Sequence, residues 1–275
     1  ISACLVGSEM CIRDRTCAEA RPLSAPESPA MDRLIYTSMT GASAAAQRQS
    51  VLANNLANAS TNGFRAELSM FRAVPLEGDG SSTRVFTVEA TAGHLEQPGS
   101  AQRTDRPLDA MAQGNAYFAV QGLDGTEAYT RNGAFEVNSE GSLVTANGLT
   151  VLGDGGGPIV VPENAQPLLG SDGTVSVQID GQLPISIGRL KLVTPTPENP
   201  IERSADGLFR APLQGQLDTD ATARVQTGAL EGSNVNPIAA MVGMIQAARQ
   251  FESQMRLVQT AEANDKAASQ LLASR

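Results

Sequence analysis

A chain of 275 residues with 41% hydrophobic side chains is long enough for one large domain or two modest ones, but 4% aromatic content and no tryptophan leave little for a single aromatic core. The net charge of -9 argues against nucleic acid as the main partner, because phosphate binding needs clustered Lys and Arg to displace counterions, and the sequence carries no basic stripe. No apolar run reaches the ~18 residues of a membrane span, and no segment joins a basic start, an apolar stretch and a small-residue cleavage site.

Cys4, Cys11 and Cys17, the only three cysteines, all lie near the start. Their spacings match no structural zinc pattern and a fourth ligand is missing, so no metal is expected there. Residues 1–30 end in the Pro-, Ser- and Ala-rich "RPLSAPESPA", just before "MDRLIYTSM", which reads as a natural start. They are expected to be a non-native leader. A mature N-terminus before Met31 in the native protein, read by mass spectrometry, contradicts that expectation.

Residues 31–77 form the first expected unit. From Asp32 to about Ala59 there is no proline, and Ile35, Met39, Ala42, Ala46, Ala53 and Leu56 recur at four and three, apart from a gap at Gln49. That is the 3.5-residue seam of a coiled coil, with small residues that allow close helix approach. The helix is expected to stop at "STNGF", where Asn62-Gly63 is a good terminator. Asn54, Asn58 and Asn62 make a polar row beside Leu52 and Leu56, which either caps the helix end or fixes register in a bundle by punishing misaligned amides.

Residues 78–227 are expected to be β-rich, with 78–115 a long irregular connection. Short alternating runs follow, punctuated by turns at Asp124, Asn132-Gly133 and Asn147-Gly148, and the pair Asp172 to Gly181 with Ile187 to Val193 extends the pattern. This predicts short antiparallel strands in a sandwich or open barrel. Residues 228–275 hold a second helix from Pro237, with Asn236 as its N-cap and Met241, Met244, Ala248, Phe251, Met255 and Val258 as its apolar row. The fold class is therefore α+β, with two terminal helices pairing as a coiled-coil-like stem, with each other or with neighbouring subunits, around a central all-β domain. Met-rich faces of this kind suit adaptable packing.

No catalytic set emerges. His94 is the only histidine, without a nucleophile or ligand cluster in view. "GDGGGP" at 153–158 lacks the Lys-Ser/Thr and the following helix of a phosphate cradle, and Asp218 with Asp220 reads as loop charge. No cofactor is expected. Two other classes remain open: a secreted carbohydrate-binding β-protein, against which the lack of tryptophan speaks, and a soluble adaptor with a helical dimerisation stem.

Four stretches carry a resemblance: "NNLANASTNGFR" from Asn54, Arg106 to Gly153, "GRLKLVTP" from Gly188, and Gly228 to Leu272. They resemble the bacterial flagellar axial proteins, the rod and hook family, over essentially all of 31–275. "MDRLIYTSMTGA", "GRLKLVTP" and "DGLFR" at 206–210 are most similar to the proximal rod branch; a distal rod or hook-type member is the alternative. The resemblance implies a non-enzymatic subunit that is exported by the flagellar type III apparatus without cleavage and assembles with copies of itself and other rod proteins into the periplasm-spanning drive shaft. It implies an assembly interface, placed on Ile35, Met39, Leu52, Asn54, Asn55, Leu56 and Asn58 with Met241, Met244, Phe251, Met255 and Val258, and a signature turn at Thr61, Gly63 and Phe64.

Overall fold

The computed structural model describes residues 32–75, 85–163, 165–179, 183–204, 206–212 and 215–273. The expected leader and its cysteines lie outside the described residues.

The first helix, α1 (Asp32–Ala57), gives way to a turn at Thr61–Gly63. Gly63 takes φ of +71°, a left-handed conformation that glycine reaches without a Cβ penalty. Strands β1 (Glu67–Pro75) and β2 (Val85–His94) then form an antiparallel ribbon running from Glu67↔His94 to Pro75↔Val85, with an irregularity after Met70. β2 thus occupies part of the span expected to be irregular, and its base packs with β1 on α1. The signal was the β-branched run "VFTV".

A second ribbon leads into the body. β3 (Ala101–Arg103) pairs with β16 (Ala229–Glu231), and β4 (Ala110–Ala112) with β15 (Val225–Thr227). Between the two pieces the backbone N–H groups of Thr104 and Asp105 both donate to the carbonyl of Gly228, at 2.9 and 3.0 Å. Asp105 sits at φ of +55° and Gly228 at +70° at this kink.

The body is built of short antiparallel strands. A five-stranded sheet has the order β12 (Leu192–Val193), β5 (Tyr117–Gln121), β6 (Glu127–Thr130), β14 (Phe209–Arg210) and β13 (Glu202–Arg203). β7 (Phe135–Val137) pairs with β8 (Leu143–Thr145), and β9 (Gln166–Leu169) and β11 (Ile185–Arg189) flank β10 (Thr174–Gln178). The apolar run of β5 is buried on both faces. Phe118 and Val120 join Phe135, Leu143, Val151, Val175 and Leu192 on one side, while Tyr117 and Ala119 join Tyr129, Leu152, Ile201 and Phe209 on the other. Each such large side chain contributes roughly 1.5–3 kcal/mol on burial.

The turns at Asp124-Gly125 and Asn147-Gly148 form as expected, with positive φ at Gly125 and Gly148. Asn132-Gly133 does not make a hairpin, because β6 pairs with β5 and β14 while β7 pairs with β8. Gly133 is instead required for close approach: a Cβ there would stand 1.8 Å from the Ala110 carbonyl oxygen.

Asp220 closes a turn, whereas Asp218 beside it is exposed. The Asp220 carboxylate accepts from the backbone N–H and hydroxyl of Thr222 and from the hydroxyl of Thr194 at 2.6–2.8 Å. The Thr222 and Thr194 bonds hold its pKa at about 2, below the ordinary 3.8. A depressed carboxylate stabilises the fold above its unfolded pKa and loses that contribution as pH falls through the folded one. The thermal midpoint is therefore expected to fall between pH 3.8 and about 2, and less steeply in Asp220→Asn; identical acid slopes in melts of the two proteins contradict the assignment.

The last helix, α2 (Pro237–Ala273), begins as expected, with Asn236 Oδ1 accepting the N–H groups of Ile238 and Ala239 at 3.1 Å. α1 and α2 pack antiparallel: Gly41 faces Gln254, and Leu52 faces Gly243. Ser38, Ala42 and Ala45 are buried on α1, and Ala240, Ala247 and Ala261 on α2. On α2 this buried row runs one residue ahead of the row Met241, Ala248 and Met255. Alanine and glycine line the contact because close helix approach leaves no room for longer side chains. The large apolar side chains are left at its border or outside.

Candidate functional site

The end of α1, the bases of both ribbons and the start of α2 converge on one polar junction. Its centre is Glu231, whose carboxylate meets Arg65 at 2.9 Å and Arg131 at 2.6 Å, with all three side chains about 1% exposed or less. Arg65 closes the signature turn, Arg131 follows β6, and Glu231 ends β16. The three are far apart in sequence, Arg131 and Glu231 by 100 residues.

The two arginines are satisfied unequally. Arg131 donates from Nε to Glu231 Oε2 at 2.7 Å and from its terminal nitrogens to the carbonyls of Ala112, Gly114 and Ala116. Arg65 donates from Nη1 to the Gln97 carbonyl, while its Nε and Nη2 are buried without a hydrogen-bond acceptor in good geometry. Burial pushes the Arg65 pKa below its ordinary value, with Glu231 opposing the fall and Arg131 adding to it. Glu231 Oε1 also accepts the N–H of Gly99 at 3.0 Å, and its backbone carbonyl accepts that of Gly63 at 2.7 Å.

Two asparagines clasp the same region. Asn55, buried on α1, donates to the Glu67 carbonyl at 2.9 Å and accepts the Glu67 N–H at 2.8 Å, tying the helix to the first residue of β1. Asn234 accepts the Ala66 N–H at 2.7 Å and donates to the carbonyls of Leu95 and Gln97, each at 2.9 Å. Asn55→Ala is expected to lower stability by about 1–2 kcal/mol, because it takes both partners from the half-buried N–H and carbonyl of Glu67. Asn54→Ala, on the exposed side, serves as the comparison, and equal melting of the two variants contradicts the clasp.

Asn54 and Asn58 are bonded to each other: the Asn58 amide donates to the Asn54 carbonyl and side-chain oxygen, both at 3.0 Å, and accepts from the Thr61 hydroxyl at 3.2 Å. Within the chain they finish the helix. Phe64 is buried beneath the Arg203 guanidinium, which lies 4.3 Å from the ring centroid and donates to the Arg65 carbonyl at 3.1 Å. His94 packs tilted against Phe209, 4.8 Å between ring centroids and 59° between planes, and burial pushes its pKa below the ordinary value. A cleft of 520 Å³ opens here, lined among others by Asn54, Glu67, His94, Glu96, Glu202 and Arg203.

Of the residues expected at an interface, Met39, Met241, Phe251 and Met255 are exposed by 56, 51, 37 and 38%. Ile35, Leu52, Leu56, Met244 and Val258 are half-buried. Ile238, Val242, Ile245 and Leu257 extend the exposed apolar surface of α2. Sequence reasoning did not single out Arg65, Arg131, Arg203, Glu231 or Asn234. Among the described residues no group of His, Cys, Asp and Glu is placed to hold a metal, and no helix is long and apolar enough to cross a membrane.

A class of protein follows from comparison with known families. Residues 35–65 match the model for flagella basal body rod protein, 111–181 that for the flagellar hook protein FlgE/F/G D1 domain, and 226–271 that for the flagellar basal body rod FlgEFG protein C-terminal. The junction draws Arg65, Arg131 and Glu231 from those three segments. The chain is 44% identical over 251 residues to flagellar basal-body rod protein FlgF of Salmonella typhimurium and 45% identical over 251 residues to that of Escherichia coli, covering 88% of this chain and 99% of each relative. To flagellar basal-body rod protein FlgG of Buchnera aphidicola it is 30% identical over 251 residues, covering 83% of this chain and 95% of that protein. The chain belongs to the flagellar basal-body rod protein family and is a structural component of the proximal rod.

Proposed function

We propose that the two helices are the assembly element of this rod subunit, packing as a coiled-coil-like stem with the helices of other rod proteins and of further copies, while the β body stays outside. The carrying observation is the division of labour on α2: Ala240, Ala247 and Ala261 are buried, while Met241, Phe251 and Met255 stay 51, 37 and 38% exposed at the border of the helix pair or outside it. An exposed apolar stripe on a helix that already has a partner indicates a second one. Ile35, Met39 and Leu56 with Met244 and Val258 complete the contact, while Leu52 packs on Gly243 of its own chain. The role is structural and not catalytic. The chain reaches the periplasm-spanning rod through the flagellar type III export apparatus without loss of a signal peptide.

Deleting the gene tests this reading: hook and filament are expected to be lost while the inner-membrane ring persists, and retention of the hook overturns it. Asn54→Leu with Asn58→Leu is expected to leave the chain soluble but to scramble assembly, since misaligned neighbours would no longer be penalised by unpaired amides. Normal rods from that variant, seen by electron microscopy, would reduce the pair to the helix cap they form within the chain.

A further inference from the structure

We infer that Glu231 is a charge keystone that makes docking of the N-terminal signature onto the β body conditional on the C-terminal strand β16. Two guanidinium groups are buried on one carboxylate. Among the described residues, neither the turn that carries Arg65 nor the body that carries Arg131 holds a second carboxylate in contact with its arginine. Removing one member of a buried ion group is strongly destabilising because it strands an uncompensated charge. Closure of the first segment and seating of the last are therefore coupled.

The two arms differ in strength, and the difference sets the order of release. Arg131 keeps three carbonyl acceptors even without Glu231, those of Ala112, Gly114 and Ala116. Arg65 keeps, among the described residues, the Gln97 carbonyl alone. The same strand and the segment that follows it supply three further contacts to the N-terminal side: the Glu231 carbonyl to Gly63, its Oε1 to Gly99, and Asn234, three residues on, to Ala66. When the keystone is lost, the signature turn and the first ribbon's base are released first, and the body, whose two apolar clusters do not include the triad, is retained.

Hydrogen exchange on the full chain reads this pattern, since amides report local opening separately from global unfolding. Glu231→Gln is expected to speed exchange in residues 58–66 and 93–100 by on the order of 100-fold, and in β5, β6 and β10 by less than about 10-fold. Arg65→Met in the Glu231→Gln background is expected to recover at least about 10-fold of the protection, because it removes the more poorly satisfied of the two charges left without a carboxylate. A uniform rise across turn and body, or a double variant less protected than Glu231→Gln alone, overturns the inference. If Glu231→Gln cannot be purified folded, recovery of a cooperative melt in the double variant supports the keystone, and failure of the double variant to fold counts against it.

Discussion

Replacing Phe251 and Met255 together by aspartate is expected to abolish rod assembly while leaving the β body folded. In the isolated chain both side chains are still nearly two-thirds covered, at 37 and 38% exposure, so the changes cost the helix pair on the order of 1–2 kcal/mol each, but neither residue belongs to the two apolar clusters of the β body. In a packed stem each large apolar side chain contributes roughly 1.5–3 kcal/mol, and an aspartate in its place adds the cost of desolvating a charge without a partner. That loss recurs in every subunit contact. Both side chains line a groove of 260 Å³ with Glu252, Arg256 and Gln259, a recess that a neighbour's side chain can enter. The check is a melt of the purified variant beside a count of hook-bearing basal bodies by electron microscopy. Normal basal bodies, or a body that no longer melts cooperatively, would contradict the expectation.

Gly63→Ala is expected to be the most damaging single methyl group in the signature turn. At φ of +71° an alanine costs about 1–2 kcal/mol of backbone strain. The new Cβ would also stand 2.4 Å from the carbonyl carbon of Arg131 and 2.4 Å from the amide nitrogen of Asn132, and backbone cannot step aside as a flexible side chain can. The sum is about 3 kcal/mol or more, enough to loosen the contact between turn and body. Gly148→Ala isolates the strain component, because Gly148 has φ of +78° with open space around its Cβ position. Denaturant melts of the two variants separate the effects; equal destabilisation would remove the steric part of the argument.

The helices and most hairpins were legible because their signals are local. Absence of proline, a three-and-four apolar period, and Asx-Gly pairs act over a few residues, and the backbone obeys them. The exception at Asn132-Gly133 shows the limit: the dipeptide is the same, but the glycine answers to the carbonyl of Ala110 across the fold. The buried face of the helix pair was harder to place. Period alone marks an apolar stripe, whereas close approach selects small residues, so Ala240, Ala247 and Ala261 turned inward and the methionines beside them outward. The junction was not legible at all. Arg65, Arg131 and Glu231 sit in three separate segments, and no local pattern states that three charges will share one buried site. The asparagine row divides similarly: Asn54 and Asn58 finish the helix, as their position near its end suggests, while Asn55, one step off the row, carries the buried clasp to Glu67.

On the proposal above, α2 has two partners, its own α1 through alanine and neighbouring subunits through its large apolar side chains. Electron cryomicroscopy of basal bodies containing this protein tests that claim most directly. Met241, Phe251 and Met255 are predicted to lie against helices of adjacent subunits, with the β body outside the helical layer. A map in which those side chains face open solvent, or pack on α1 of the same chain, would contradict it.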